Sequence, residues 1–255
     1  DGALVAIPTI PRDDTVLQER SSELIYVIRD GKRWFADDYV LTQIAAGQVE
    51  VNIVPNGGLA PIPMSAIDGT LLREPSGAIY VIYGGARFHI PNMDIFNAFN
   101  FDAASISEVS NSDIASIPVI PSDGTLLREP SGAIYVIYGG ARFHIPNMGE
   151  FNALNFDATH VRQLWDGALV AIPTIPRDDT VLQERSSELI YVIRDGKRWF
   201  ADDYVLTQIA AGQVEVNIVP NGGLAPIPIG AQTLSRNSGL DVWHKAEAEL
   251  FGLPL

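Results

Sequence analysis

The sequence predicts a mainly β fold with short helices, either a five-bladed β-propeller or an open β-rich solenoid of four repeats with end caps. A stretch of 26 residues, Asp68–Met93, returns without a change at Asp123–Met148, a shift of 55 residues. A looser version begins 55 residues earlier at Asp13 and occurs again at Asp178. Repetition at a fixed period of this length is typical of propellers, solenoids and other repeat arrays.

The repeat divides residues 1–255, taken as a single repeat domain, into four full units. Threonines set the phase of the units, at Thr15, Thr70, Thr125 and Thr180. We name the units A1 (residues 12–66), B1 (67–121), B2 (122–176) and A2 (177–231). Residues 1–63 are identical to residues 166–228, which indicates a recent duplication or an engineered chain.

Each unit is predicted to begin with a strand and a hairpin. In B1 the first strand is Thr70–Glu74, and the hairpin strands are Ala78–Tyr83 and Ala86–Ile90. They meet across Gly84-Gly85, and the A1 unit has Asp30-Gly31 at this place. Both dipeptides favour a two-residue turn, because Gly and Asp accept the positive φ that such a turn requires.

A short helix and a last strand follow the hairpin. Asn92–Asn100 predicts the helix in B1, with an Asn as its cap, and Asp38–Ala46 predicts it in A1. The last strand is predicted at Val49–Val54 in A1 and Ser105–Val109 in B1, before a loop that ends in an Ile-Pro pair.

The second strand of each unit contains Ile-Tyr-Val-Ile, which begins at residues 25, 79, 134 and 190. This run is continuously apolar and does not alternate, so both faces of the strand should be covered. Small sheets stacked on one another cover both faces of every interior sheet, which favours a propeller or a closely stacked solenoid.

The two ends of the sequence predict a split fifth unit, residues 232–255 plus 1–11. Asp1–Pro11 repeats Asp166–Pro176, and Thr233–Gly239 resembles Thr70–Gly77. Five units of about 51 residues would then close a ring, which removes exposed strand edges. In the alternative, Val242–Phe251 forms an amphipathic helix that caps an open stack.

Composition excludes several functional classes. The net charge of −14 is the wrong sign for a nucleic-acid partner, and the sequence has no Lys/Arg-rich run. No apolar run approaches the roughly 18 residues of a membrane-spanning helix, so we expect no membrane insertion. Cysteine is absent, which rules out disulfides, thiolate metal sites and a cysteine nucleophile.

Four arginines recur just after the hairpin turn and are candidate ligand-binding residues: Arg33, Arg87, Arg142 and Arg198. They predict either a set of guanidinium groups for a carboxylate, phosphate or acidic sugar, or internal salt bridges. The salt-bridge partners would be the equally repeated Glu19, Glu74, Glu129 and Glu184.

Aromatic and histidine side chains complete the candidate set. His89 and His144 occupy equivalent positions in the B units, where the A units have Phe35 and Phe200. A position that takes either His or Phe favours packing over a ligand or a base. Tyr83 and Tyr138, beside the Gly-Gly turns, are expected to be exposed and able to stack on a sugar.

No metal site, cofactor or catalytic residue is predicted. The acid pairs at 13–14, 37–38, 178–179 and 202–203 lack the loop spacing of a calcium site, and we interpret them as turn and cap residues. A hydrolase would need a cluster that breaks the repeat symmetry. The unrepeated candidates for such a cluster are His160, Arg162, Asp241 and His244.

The layout resembles tandem-repeat β-propellers of the hemopexin-like and tachylectin-like kind, which pair a Gly-turned hairpin with aromatic positions in each blade. The resemblance covers residues 1–240 or so, and it extends to repeats of about 50 residues in bacterial secreted or surface proteins. It implies a binding or scaffolding role and an extracellular or cell-surface location. It assigns no ligand residue to this chain.

The sequence therefore predicts a non-enzymatic, lectin-like module that recognises a glycan or surface polymer through repeated sites between blades. Repetition would raise avidity without strong single contacts. The alternative is a structural or engineered symmetric scaffold without a small-molecule ligand. We expect a monomer or a small homo-oligomer.

Overall fold

The computed structural model describes residues 10–230 of the chain. The predicted fifth unit, the alternative C-terminal cap, Asp241 and His244 therefore lie outside the described residues. Within residues 10–230 the protein is mainly β with short helices, as predicted, and consists of four small mixed sheets.

Each unit contributes four strands and one main helix. The first strands are β1 (Val16–Glu19), β6 (Leu71–Arg73), β10 (Leu126–Arg128) and β14 (Val181–Glu184). The second strands are β2 (Ile25–Arg29), β7 (Ile79–Tyr83), β11 (Ile134–Tyr138) and β15 (Ile190–Arg194). The third strands are β3 (Lys32–Phe35), β8 (Ala86–Ile90), β12 (Ala141–Ile145) and β16 (Lys197–Phe200). The fourth strands are β4 (Asn52–Val54), β9 (Ile106–Glu108), β13 (Arg162–Gln163) and β17 (Asn217–Val219).

The main helices are α1 (Asp38–Ala45), α2 (Met93–Ala98), α4 (Met148–Ala153) and α5 (Asp203–Ala210). A1 adds a short strand, β5 (Met64–Ser65), and B1 adds the helix α3 (Asn111–Ser116). Single 3-10 turns at Ala103–Ser105 and Ala158–His160 precede β9 and β13.

The predicted hairpins are confirmed. Gly84 and Gly85 have φ values of 57° and 73°, and Asp30 and Gly31 have φ values of 51° and 69°. Two successive residues with positive φ give the turn whose twist matches that of the flanking strands. The turn sets the B1 register, in which Ile79 pairs with Ile90.

The helices begin where the sequence places their caps. The Asn92 side chain accepts a hydrogen bond from the Ile95 amide, and Asp37 accepts one from the Val40 amide, both at 2.9 Å. Each cap satisfies an amide that has no partner inside the helix. The helix in A1 ends one residue before the predicted bound, and the B1 helix is shorter than predicted.

The fourth strand pairs parallel with the first, so the sheet order in every unit is fourth, first, second, third. The chain then runs along the free edge of the third strand. We call these stretches closing segments: residues 55–66, 109–121, 164–176 and 220–230. A backbone hydrogen bond of 2.8–2.9 Å ties each segment to its third strand, for example from the Arg33 amide to the Pro63 carbonyl.

Helix α3 in the B1 closing segment was not predicted. Ser110 and Asp113 form a reciprocal capping box at its start, in which each side chain accepts a hydrogen bond from the other residue's amide. This Ser-x-x-Asp pattern is a sequence signal for a helix N-terminus, and it does not occur in the other three closing segments. The A1 closing segment instead contributes β5, which pairs parallel with β3.

Both faces of the second strand are covered in B1, as predicted. Val81 and Ile82 are both fully buried and belong to different hydrophobic clusters. Val81 lies in a cluster with Leu127 and Ile137 of B2. In the same way, Val136 of B2 lies in a cluster with residues of A2. B1, B2 and A2 therefore stack in one direction.

The junction between A1 and B1 is different. Leu17 and Ile28 of A1 share a cluster with Leu72 and Ile82, which hold the same positions in B1. The opposite face of the A1 sheet, with Val27, is covered by its own helix α1. A1 and B1 thus meet through equivalent faces.

The turn residues account for this difference. A Cβ at Gly84 would lie 2.2 Å from Thr125 Oγ1, and one at Gly139 would lie 2.3 Å from Thr180 Oγ1. The next unit therefore approaches so closely that only glycine fits at this turn position. A1 has Asp30 there, so B1 cannot stack on A1 in the same way.

Candidate binding clefts between repeats

Three of the four repeated arginines bind carbonyl oxygens of their own closing segments. Arg33 Nε donates to the Ile62 carbonyl at 2.9 Å. Arg87 donates to the carbonyls of Ile114 and Ile117, and Arg142 donates to the carbonyl of Leu169. These three arginines thus fasten their closing segments to the sheets.

The predicted repeated Arg–Glu salt bridges are not formed among the described residues. Glu19 accepts a hydrogen bond from the Leu59 amide, and Glu184 accepts one from the Leu224 amide, both at 3.1 Å. Glu74 instead binds Ser76, and Glu129 binds Tyr135. Sequence spacing showed that both residue types repeat, but it did not show that the closing segment lies between them.

Arg33 has a further partner that its counterparts lack among residues 10–230. It forms an ion pair with Asp113 of helix α3, and the two residues are only 2% and 7% exposed. Burial, together with the negative charge of Asp113, raises the pKa of the adjacent Tyr26 hydroxyl. In A2, the guanidinium of Arg198 lies 5.2 Å from the Tyr191 ring centroid, and its buried Nε has no hydrogen-bond partner in the described structure.

The histidines are the outer members of cross-strand aromatic pairs. His89 lies against Tyr80 and His144 against Tyr135, each with ring centroids 5.4 Å apart. In A1, Phe35 takes the same cross-strand position and lies 5.4 Å from Tyr26, with the two rings stacked at 25°. This geometry supports the packing interpretation, although both histidines remain exposed to solvent.

A cleft of about 360 Å³ lies between B1 and B2 and contains two of the predicted residues, Arg87 and His89. Tyr80 forms the same wall, while Trp165 and Asp166 come from the B2 closing segment. Trp165 is fixed by an edge-on contact with Phe99, with ring centroids 5.6 Å apart. The cleft therefore combines aromatic surfaces with an exposed carboxylate and an imidazole.

The equivalent position between B2 and A2 has a different chemistry. Pro220 and Asn221 replace Trp165 and Asp166 there. The Asn221 amide is bound to Glu150 Oε1 at 2.9 Å, and Glu150 also holds Arg185 in a two-point contact of 2.9 and 3.0 Å. These hydrogen bonds lower the pKa of the Glu150 carboxyl, the contact with Arg185 contributing most.

Tyr83 and Tyr138 are half-buried and not exposed as predicted. Their rings lie 6.1 Å from Phe88 and 6.4 Å from Phe143, and burial raises the pKa of both hydroxyls. Tyr138 lines a cleft of about 640 Å³ beside Glu215, at the junction of B2 and A2. The corresponding cleft between B1 and B2 is about 430 Å³.

The unrepeated residues do not assemble a catalytic group in the described region. Arg162 Nε pairs with Asp68 at 2.9 Å across the B1–B2 junction. His160 lies 3.8 Å from Asp157, and both are exposed. Over residues 10–230, no cluster of three or more His, Asp or Glu residues could hold a metal ion. The helices of this region are also too short and polar to cross a membrane.

Comparisons with known proteins identify no family. No protein-family model matches the sequence, and no curated protein matches it. Among solved structures, the chain is similar to part of the periplasmic assembly of the ESX-5 inner membrane complex, with 13% sequence identity and a TM-score of 0.20. The match covers 90% of this chain and 62% of that chain. A second match, to an intact ESX-5 inner membrane complex, has 13% identity, 89% and 54% coverage and a TM-score of 0.19. The chain thus spans less than two thirds of both, and this likeness is too weak to carry an argument.

Proposed function

We propose that this protein is a non-enzymatic binding module that takes a sugar ring of a glycan or surface polymer in the cleft between B1 and B2. The observation that carries the proposal is the convergence of Tyr80, His89, Trp165 and Asp166, from two neighbouring units, on one cleft. The rings of Tyr80 and His89 suit the apolar side of a sugar ring, and the exposed Asp166 carboxylate accepts hydrogen bonds from hydroxyl groups. The buried Trp165 anchors the segment that carries Asp166.

Rigidity supports this proposal. The His89 ring packs against the Tyr80 ring, and Trp165 is 4% exposed and packed in the hydrophobic core. Arg87 is committed to two backbone carbonyls and serves as a fixed wall of the cleft. A preformed site loses little conformational freedom when a ligand binds.

The matched pair His89→Ala and His144→Ala tests this site. Both changes remove an exposed ring from an equivalent Tyr–His pair, but only His89 lines the cleft with Trp165. We expect His89→Ala to weaken sugar binding about tenfold, which corresponds to about 1.4 kcal/mol. His144→Ala should leave the affinity unchanged.

Binding is measured by calorimetry, after a thermal-shift screen of neutral and acidic oligosaccharides has identified a ligand. Asp166→Asn should weaken binding of the same sugar without changing the melting temperature of the free protein. Equal losses for His89→Ala and His144→Ala would rule out the cleft as the binding site.

A symmetric scaffold without a small-molecule ligand is the second candidate. It is favoured by the use of three repeated arginines to fasten closing segments, because their guanidinium groups are then committed within the chain. A panel of sugars that produces no thermal shift, together with a single cooperative melt, would favour this role.

We propose an architecture in which the one-directional stack of B1, B2 and A2 extends toward either a five-bladed ring or a capped solenoid. Stacking in one direction supports both, since each sheet presents a free face to the next. The inverted junction of A1 and B1 favours the solenoid. Small-angle scattering distinguishes the flat disc of a ring from the elongated profile of a solenoid.

A further inference from the structure

A1 and A2 place one sequence in two settings. Residues 12–63 and 177–228 are identical. In A2, the sheet face that carries Leu182 and Ile193 packs against B2. In A1, the same face, with Leu17 and Ile28, packs against B1. The face of an A-type unit therefore fits two different partners within this chain.

Each A-type unit uses a different arginine for its partner. A2 uses Arg185, which binds Glu150 of helix α4 at two points. A1 uses Arg33, which forms the buried ion pair with Asp113 of B1. Arg177 of A2 also lies 3.6 Å from Asp123 of B2, but that pair is more exposed. Glu150 and Asp113 are thus the buried carboxylates by which B2 and B1 hold their A-type units.

In the other copy, the equivalent arginine makes no ion pair among the described residues. Arg20 in A1 corresponds to Arg185, and its side chain is exposed and makes no ion pair among the described residues. Arg198 in A2 corresponds to Arg33, and its buried Nε lacks a hydrogen-bond partner there. Pro55 is likewise exposed in A1, whereas its counterpart Pro220 is buried in A2.

We propose that two copies of this chain exchange their A-type units. A1 of the first copy docks on B2 of the second copy and displaces the second copy's own A2. The displaced A2 then docks on B1 of the first copy, which A1 has left. Arg20 then pairs with Glu150, and Arg198 pairs with Asp113. Because the exchanged surfaces are identical in sequence over residues 12–63 and 177–228, each interface is rebuilt with largely the same contacts, which is the condition for low-cost domain swapping.

Charge reversal at Arg20 tests the exchange. Arg20 has no ion pair among the described residues of one chain, so Arg20→Glu leaves the monomer intact, but in the exchanged dimer it sets a second carboxylate against Glu150. Wild-type protein refolded from urea over a range of concentrations should give a dimer fraction that rises with concentration in sedimentation velocity. Arg20→Glu should lower that fraction at least about tenfold, whereas Arg20→Lys should retain it.

A comparison of Glu150→Arg with the double variant Glu150→Arg and Arg20→Glu tests the same contact between chains. In Glu150→Arg, residue 150 repels Arg185 within the chain and Arg20 between chains. Adding Arg20→Glu restores attraction only between chains, so the double variant should dimerise and the single variant should not. A wild type that stays monomeric at every concentration, or equal association of the single and double variants, would overturn the proposal.

Discussion

Replacing Arg33 by alanine is expected to lower the free energy of unfolding by about 3–5 kcal/mol, because it leaves the buried carboxylate of Asp113 without its partner. Arg33 is 2% exposed and also binds the Ile62 carbonyl. The change therefore removes both the buried ion pair and the hydrogen bond that holds the A1 closing segment to its sheet. Urea unfolding of dilute protein measures the loss.

The matched control is Arg198→Ala, at the same position of A2. Arg198 has no ion pair in the described structure and its Nε has no hydrogen-bond partner, so we expect a loss of less than about 1 kcal/mol. Replacing Arg33 and Asp113 together by Met and Leu should recover the part of the loss that comes from the uncompensated charge, but not the hydrogen bonds to the Ile62 carbonyl and the Ser110 amide. Equal losses for the two alanine variants would contradict the assignment of the ion pair.

Adding a methyl group at Gly84 should destabilise the junction between B1 and B2. Gly84→Ala must adopt a φ of 57° and bring its Cβ within 2.2 Å of Thr125 Oγ1. We expect the left-handed conformation to cost about 1–2 kcal/mol and the steric overlap to cost about 1–3 kcal/mol more. Chemical denaturation measures the total loss in the free energy of unfolding.

Gly85→Ala isolates the backbone contribution. Gly85 also has a positive φ, of 73°, but a Cβ there meets nothing within 4 Å. Gly85→Ala should therefore cost only about 1–2 kcal/mol, the cost of the left-handed backbone conformation. A double-mutant cycle of Gly84→Ala with Thr125→Ala should show a favourable coupling, because the second change removes the atoms that overlap. No coupling would mean that the turn does not contact the next unit.

Local structure was predictable wherever short-range physics determines it. The Gly-Gly and Asp-Gly turns fixed the hairpins, because few dipeptides accept two positive φ values in succession. Asn92 and Asp37 marked the helix starts through their capping hydrogen bonds. The continuous apolar run of the second strand correctly indicated that both its faces are covered in B1.

The contacts between distant segments of the chain were not predictable from periodicity. The parallel pairing of fourth and first strands and the fastening of closing segments by arginine depend on chain segments about 30 residues apart. Trp165 was not predicted as a cleft residue because its position does not carry the same residue in the other units. Its signal was available, since the B1 unit has Ser110 at the corresponding position of its closing segment.

A single sequence occupies two environments in A1 and A2, and amide hydrogen exchange measured by NMR at Asn56 and Asn221 tests this central claim most directly. The Asn221 amide donates to Glu150, whereas the Asn56 amide has no acceptor among the described residues. We predict that Asn221 exchanges at least about tenfold more slowly than Asn56 in dilute protein. Equal exchange rates at the two amides would contradict the claim.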